Sequence, residues 1–357
     1  MPERQNSTVG AAVVALDPDP PPLSIAITLP IPLNYPAILG GVEVLGVGAV
    51  RIDGALLVNT TWGGRDENGI RCGVNNGPPY GVCCTPIVPL TKVRARDIRV
   101  VGGVDNPLNY TGLSAADGEP LQANRMATPD PFATAPVPSQ GSLPGQVDTT
   151  NRGNARVVGI PLIGPTITLR PGVYNYIEII SGTVVFEPGV YIIRGVSPLT
   201  GISLSVVGGD VTAEGVLFYI TNSGSFDATT GSPDTGDAGT VPSSPSLSAL
   251  LPSVLINAAL PGNRYTGLQA GGSPLSGMLI CQRRNDFRPI VIVSQGILGS
   301  STISGTIYAK YGHTLLAANG TYDLRVVSGS IRFAPVLSLT LQPTTLLPPA
   351  KDVFLVE

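Results

Sequence analysis

The cysteines are the residues of this sequence that are best able to form covalent bonds or bind a metal. There are four, Cys72, Cys83, Cys84 and Cys281, an even number that allows two disulfides in three pairings. Neighbouring cysteines rarely bond to each other, so we expect Cys72 to pair with Cys83 or Cys84, and Cys281 to pair with the other. Free buried thiols are the first alternative, and a metal site, which lacks CxxC pairs and a nearby histidine, is the second. A disulfide would indicate an oxidising compartment outside the cytosol.

The remaining groups with potential chemistry are few. His313 is the only histidine. It could act as a general base or a metal ligand, but an exposed turn or strand residue is the favoured interpretation. The acidic trio Asp227, Asp234 and Asp237 could bind calcium through oxygen ligands. Its spacing matches no calcium loop, which favours a solvated loop.

Hydrolysis of a glycosidic bond needs two carboxyl groups close together. The best pair is Glu178 and Glu187, placed on consecutive predicted strands, but each could equally point outward from its own strand. The other strand-borne acids are scattered. We therefore assign no catalytic, cofactor-binding or metal-binding residue and expect a protein that is not an enzyme.

A short basic strip is formed by Lys92, Arg94 and Arg96. Alternating residues of a strand share one face, so the three side chains should lie together. The strip could dock on an acidic partner or a glycan. The favoured alternative is a solvated face that prevents edge pairing with other chains.

Composition narrows the class of protein. The chain has 357 residues, a net charge of −3, 13% charged residues and 43% hydrophobic residues. The apolar content is sufficient for a core and argues against disorder, although Gly and Pro are abundant. A charge near zero excludes a general nucleic-acid binder that neutralises phosphates. No run reaches the length of a membrane span, and the polar start has no apolar signal region.

The elements that must position these residues are strands. Short runs of Val, Ile, Leu, Tyr and Thr alternate with Gly, Pro, Asn and Asp, and helical periodicity is nearly absent. The sequence Pro-Gly-Val-Tyr occurs at 171–174 and again at 188–191. Pro-Gly suits a turn, and each copy begins a β-branched and aromatic strand. A repeated strand and turn predicts an all-β fold, a right-handed parallel β-helix with long loop excursions.

The chain divides into three parts on this interpretation. Residues 1–18 form an N-terminal strand or arm, residues 19–345 a single β-helix domain, and residues 346–357 a C-terminal tail. Excursions from the β-helix are expected at 59–92, 112–155 and 223–247. The second is rich in Pro, Ala, Asp and Ser and should cross the surface as an extended segment.

Several stretches resemble a known family. They are GAAVVALDP (10–18), DIRVVGGV (97–104), DPFA (130–133), LRPGVYNYIEIISGTVVFEPGVYIIRG (169–195), VVGGDVTAEGVLFYIT (206–221), GMLICQRRN (277–285), SGTIYA (304–309) and VVSGSIRF (326–333). Over about residues 10–340 the chain is similar to the C-terminal, β-rich region of TadG-like pilus-assembly proteins of bacteria, notably planctomycetes. The resemblance implies a secreted or cell-surface module and supplies no catalytic residues.

The functional hypothesis is an extracellular structural protein that assembles with copies of itself into a filament, pilus-like fibre or sheath. The open ends of a β-helix, or strand addition by the terminal segments, would join subunits. The candidate assembly residues are Val9, Ala12, Val14, Leu16, Val353 and Leu355. The alternatives are a monomeric surface adhesin that binds a glycan and a carbohydrate-active enzyme on the same fold. No nucleic-acid partner and no membrane span in this chain are expected.

Overall fold

The structure is a computed structural model that describes residues 7–21, 25–27, 33–35, 37–63, 79–86, 92–160, 164–243, 251–258, 262–294 and 301–350. Over these residues it is built of strands and turns, with three short 3-10 helices at Pro107–Asn109, Ala115–Asp117 and Asp234–Asp237 and no α-helix. The predicted all-β class is confirmed.

The first twelve strands are β1 (Ala11–Ala15), β2 (Ile25–Ile27), β3 (Leu33–Tyr35), β4 (Gly40–Gly46), β5 (Ala49–Val58), β6 (Tyr80–Pro86), β7 (Val93–Val100), β8 (Tyr110–Thr111), β9 (Leu121–Gln122), β10 (Asn151–Val157), β11 (Thr166–Leu169) and β12 (Gly172–Ile179). The others are β13 (Thr183–Phe186), β14 (Gly189–Ile193), β15 (Leu204–Val206), β16 (Asp210–Ile220), β17 (Val254–Asn257), β18 (Arg264–Gly267), β19 (Met278–Gln282), β20 (Ile290–Ser294), β21 (Thr302–Ala318), β22 (Gly320–Phe333) and β23 (Ser338–Leu341).

Twenty-one of these strands belong to one sheet with parallel pairing, and β2 and β3 form a separate antiparallel pair. Most strands of the large sheet pair with a strand that is near in the sequence, for example Gly172 with Tyr191 and Gly189 with Val216. The exceptions join the two ends of the sequence, where β22 pairs with β1 and β4, and β23 pairs with β5. The pairings follow three rows. Row A is β10–β12–β14–β16–β19–β21–β22–β1–β5–β7–β9, row B is β10–β12–β15–β17–β20–β21–β22–β4–β6, and row C is β11–β13–β16–β18–β21–β22–β23–β5–β7–β8.

Long strands connect the rows. β16, β21 and β22 each contribute one stretch to one row and a later stretch to another, so the chain turns from row to row without leaving the sheet. The largest buried apolar cluster takes side chains from all three rows. The rows therefore pack on a common core, which excludes water from one face of every row.

The repeated Pro-Gly-Val-Tyr sequence has a repeated local structure. The Tyr174 hydroxyl donates to the carbonyl of Arg170 at 2.6 Å, and the Tyr191 hydroxyl donates to the carbonyl of Glu187 at 2.7 Å. Each tyrosine therefore bonds to the residue just before its own Pro-Gly. The two rings stack at 6.0 Å inside the core, so the repeat supplies both a turn and a core contact.

Strand β1 lies in the middle of row A. Val13 is opposite Val326 of β22 on one side and opposite Leu56 of β5 on the other. All five residues of β1 are buried. Within the segment 1–18, expected to form an N-terminal strand or arm, residues 11–15 thus form a strand that joins the C-terminal strands to the N-terminal ones.

A segment that we name the strap, residues 128–147, runs over the outer face of row A. Its apolar side chains Phe132, Val137, Leu143 and Val147 are buried in a second cluster with outward residues of row A. The strap begins beside β5 and reaches β14, where the N–H of Val190 donates to the carbonyl of Gln146 at 3.3 Å. The predicted surface crossing within 112–155 thus carries the chain from one end of the sheet to the other.

Two predicted excursions nevertheless contain strands. β6 lies within 59–92, β9 lies within 112–155, and β10 begins in that second stretch and ends just after it. β10 was missed because its sequence is mostly polar. β10 is the last strand of the sheet, and only two of its seven residues are buried. It can therefore pack on the core with few apolar side chains. The third stretch, 223–247, holds no strand over its described residues.

Deletion of residues 1–16 should prevent folding. The change leaves β22 and β5 with unpaired backbone groups at the centre of row A and exposes their apolar side chains. We expect loss of the β-sheet circular dichroism signal or aggregation during refolding. A control that lacks only residues 1–6 should melt like the full chain. A truncated protein that stays soluble with an unchanged melting temperature would contradict the central position of β1.

Candidate functional site

The structure contradicts one of the two predicted disulfides. Cys84 and Cys281 are free, buried thiols, so the predicted bond between Cys281 and the loop cysteines is wrong. Cys281 lies on β19 in row A, under the strap, whereas Cys84 lies on β6 in row B. Cys83 is not among the free thiols, and Cys72 lies outside the described residues. No disulfide joins two cysteines of the described ranges.

The two free thiols have low reactivity. Burial raises the pKa of Cys281 to about 12, and it also raises the pKa of Cys84, with a further contribution from the Asp105 carboxylate. A thiol that stays protonated is a poor nucleophile and a poor metal ligand. Both cysteines therefore serve as small apolar core residues.

The candidate assembly residues fall into two groups. Ala12 and Val14 lie in β1, Leu16 follows it, and these three are buried, while Val9 packs partly buried against the same apolar cluster. Because β1 is paired on both sides within its own chain, strand addition to another subunit would require β1 to leave the centre of row A. Val353 and Leu355 lie outside the described residues.

The three residues of the acidic trio lie in different surroundings. Asp234 and Asp237 are buried, and both bind the guanidinium of Arg283, at 3.1 and 2.7 Å. The Tyr219 hydroxyl donates to Asp234 at 2.6 Å, and burial raises the pKa of that carboxyl group. Asp227 is exposed and accepts hydrogen bonds from Thr229 and Thr230 of its own turn, which lower its pKa. The expectation of one solvated loop thus fails for the two buried acids.

The two candidate glycosidase carboxylates have different surroundings. Glu178 is 2% exposed and binds the Arg156 guanidinium at 2.8 Å in row B. Glu187 follows β13, is 45% exposed and lies 3.5 Å from Arg170. The structure therefore places one acid in a buried ion pair and the other in a surface ion pair, with no partner in common.

A polar cluster lies on row B where the C-terminal strands meet the N-terminal strands. Arg332 of β22 and Glu43 of β4 form an ion pair, and their side chains are only 2% and 3% exposed. His313 of β21 is 1% exposed, with its Nδ1 2.9 Å from the Ser330 hydroxyl. The expectation of an exposed histidine is wrong, since His313 is a buried strand residue.

Burial and the nearby Arg332 charge hold the pKa of His313 well below its usual range. The imidazole is therefore neutral in the folded protein. The neutral imidazole can form a hydrogen bond in the core, but its protonation there would lower the free energy of unfolding.

The outer face of row C is a flat surface of threonine and arginine, which we name the Thr–Arg face. It is composed of Thr168, Val185, Thr212, Arg264, Thr302, Thr321, Thr340, Arg51, Arg94 and Thr111, in successive strands of the row. Each of these side chains is exposed or half-exposed. Sequence reasoning found only the basic strip of this surface, because the members come from many separate strands.

The predicted basic strip does lie on one face. In β7 the exposed Arg94 and Arg96 alternate with the buried Val93 and Ala95, and Lys92 is half-buried. Arg96 binds Asp53 at 2.7 Å, whereas Arg94 lies beside Arg51 in the ladder. Two adjacent arginines on an exposed face attract anions.

The two ends of the sheet differ. At one end β10 and β11 pair only with β12 and β13, so each has one unpaired edge over the described residues. At the other end β8 and β9 are two-residue strands that pair only with β7. The carbonyl of Val157 faces β12, because it accepts from the N–H of Ile180 at 2.9 Å. Backbone groups alternate in direction along a strand, so those of Asn154 and Arg156 face the open edge.

Comparisons with family models, curated proteins and solved structures gave no match. Within the described ranges, no helix has the length and apolar character required to cross a membrane. The same ranges contain no group of three or more His, Cys, Asp or Glu side chains that could hold a metal ion.

His313 should make the protein sensitive to acid. Because its pKa is lower in the folded state than in the unfolded chain, the stability that it contributes is complete above about pH 6.5 and falls below that value, by up to about 1.4 kcal/mol per pH unit. In His313→Gln this part of the pH dependence should disappear. The measurement is the free energy of unfolding between pH 4.5 and 8 for both proteins.

Comparison of the two proteins is needed because some carboxyl groups titrate in the opposite sense. The pKa values of Asp17, Asp105 and Asp234 are raised by burial, so protonation of these groups favours the folded state. Parallel pH profiles for the wild type and the variant would show that His313 does not carry the effect.

Proposed function

We propose that the rows form a right-handed parallel β-helix. The support is the register, in which most strands pair with strands one turn of the chain away, in three rows around one core. In this fold each turn packs only on its neighbours, so the end turns are the only ones with free backbone groups.

On this fold, we propose an extracellular structural protein, a subunit that assembles end to end into a filament, pilus-like fibre or sheath at the cell surface. The observation that carries the proposal is the open edge of β10 and β11. An unpaired row of N–H and C=O groups is a template for another strand. If it pairs with the β8–β9 end of the next copy, the contact is head to tail and gives an open polymer.

The proposed location has two supports. The chain resembles the surface-exposed region of TadG-like proteins in the stretches given above. Its low charge and its high content of short strands and turns also suit an extended, protease-resistant surface protein. An oxidising compartment is part of the same proposal, through the loop cysteines.

A second candidate function is that of a monomeric surface adhesin. The Thr–Arg face favours it, since hydroxyl and guanidinium groups can hydrogen-bond to the hydroxyl groups of a glycan. The carbohydrate-active enzyme has weaker support, because Glu178 and Glu187 are held in separate ion pairs.

Asn154→Pro should abolish end-to-end assembly. The substitution removes a backbone N–H that faces the open edge and leaves the groups that bond to β12 in place. Asn154→Ala is the matched control, since it loses only the side-chain bond from Asn175, at 2.8 Å. Sedimentation velocity and negative-stain microscopy should find filaments in the wild type and in Asn154→Ala, and single particles in Asn154→Pro.

Row A contains eleven strands, which at about 4.8 Å each predicts a filament repeat of about 53 Å. Single particles in the wild type at all concentrations would reject the structural proposal and leave the adhesin. Filaments that persist in Asn154→Pro would place the contact elsewhere on the molecule.

A further inference from the structure

A cavity of about 620 Å³ lies beside the Thr–Arg face, where row C turns into row A. Its floor contains Ser304, Gly305 and Arg325. One wall is the glycine-rich loop 267–277, and the opposite wall contains Thr344 and Thr345. The volume lies within the range of small-molecule sites, which is about 300–1,000 Å³.

Arg325 is the only cationic residue in the lining of this cavity. Its side chain is half-buried, and its guanidinium makes no hydrogen bond or ion pair with the described residues. The loss of water by burial lowers the pKa of Arg325, which Asp323 partly opposes. Desolvated arginines in proteins are normally paired, so this one has an unfilled capacity for an anion.

The nearest carboxylate does not fill that capacity. Both oxygens of Asp323 bind Thr344, with the backbone N–H at 2.8 Å and the hydroxyl at 3.0 Å. Asp323 therefore holds the wall of the cavity in place. The hydroxyl of Thr306, which lies opposite Arg325 in the ladder, also makes no hydrogen bond.

Gly277 keeps the space in front of the guanidinium open. It has a φ of +77°, and a β-carbon there would lie 3.0 Å from Nη2 of Arg325. A side chain at this position would press on the guanidinium and narrow the cavity. The backbone conformation and the close approach both favour glycine at 277.

We infer that this cavity binds an acidic saccharide, with the Arg325 guanidinium holding a carboxylate of a uronic acid unit. Guanidinium and carboxylate form two parallel hydrogen bonds, and the hydroxyl groups of Thr266, Ser276, Ser304 and Thr345 line the space around them. These groups match the hydroxyl groups of a sugar ring. The inference is independent of self-assembly, because none of these residues lies in β8–β11.

The test uses the full chain and isothermal titration with an oligogalacturonate of three to four units as the probe. The neutral partner is an oligosaccharide of the same length without carboxylates. We expect binding of the acidic probe only, and at least tenfold weaker binding in Arg325→Gln, a loss of about 1.4 kcal/mol. Arg325→Lys keeps the charge but not the paired hydrogen bonds and should fall between the two.

Arg194→Gln is the matched control, because Arg194 is another half-buried arginine, lies outside the cavity and the Thr–Arg face, and has its own partner, the side-chain carbonyl of Asn175, at 3.1 Å. Its affinity should equal that of the wild type. Melting temperatures confirm that each variant is folded. The inference is overturned if the acidic probe does not bind, if the neutral oligosaccharide binds equally, or if Arg325→Gln binds like the wild type. Equal affinity for acetate or inorganic phosphate would overturn the assignment to a saccharide.

Discussion

The fold depends on the backbone hydrogen bonds that β1 makes on its two sides. Without β1, strands β22 and β5 would each present a row of unsatisfied N–H and C=O groups in the middle of row A. With it, the C-terminal strands and the N-terminal strands become one continuous ladder. Each unsatisfied buried backbone group costs about as much as a lost hydrogen bond, so this requirement is a strong one.

The strap follows from that arrangement. Once β4 to β9 have been stacked beyond β1, the chain is at one end of the sheet and its next strand, β10, is at the other. Residues 128–147 cross this distance on the outer face of row A, and they replace water over its apolar side chains. Asn59 fixes the start of the strap, since its side-chain amide bonds to both the N–H and the carbonyl of Thr128. A segment with the composition of a linker thus becomes part of the packing.

The features that could be predicted from the sequence are those determined by residues close together in it. The two Pro-Gly-Val-Tyr copies indicated strands and turns, because each tyrosine bonds to a residue four positions earlier. The alternation of Arg94 and Arg96 with Val93 and Ala95 is equally local. The partners of Val13 could not be predicted, since Leu56 and Val326 are far away in sequence and similar to many other apolar residues.

The same contrast between local patterns and distant partners explains which site residues could be predicted from the sequence. His313 was expected to be an exposed turn or strand residue, yet it is buried beside Ser330 and Arg332, which come from the next strand. The Arg325 cavity was not found at all. Its walls come from the loop 267–277 and from Thr344, and no spacing rule connects those segments. Of the Thr–Arg face, the sequence indicated only the basic strip, with Lys92 just before β7 and Arg94 and Arg96 within it.

The position of β1 also affects the order in which the molecule can form. β1 is among the first strands to be synthesised, and one of its two partners, β22, is among the last. The pairing of Val13 with Val326 closes a loop that includes most of the chain, and contacts between such distant residues form slowly. During synthesis, row A must remain divided until β22 has been made, with apolar edges on both parts. The native ladder can then be completed only when β22 is available, which makes the synthesis of this strand the step that commits row A to its folded form.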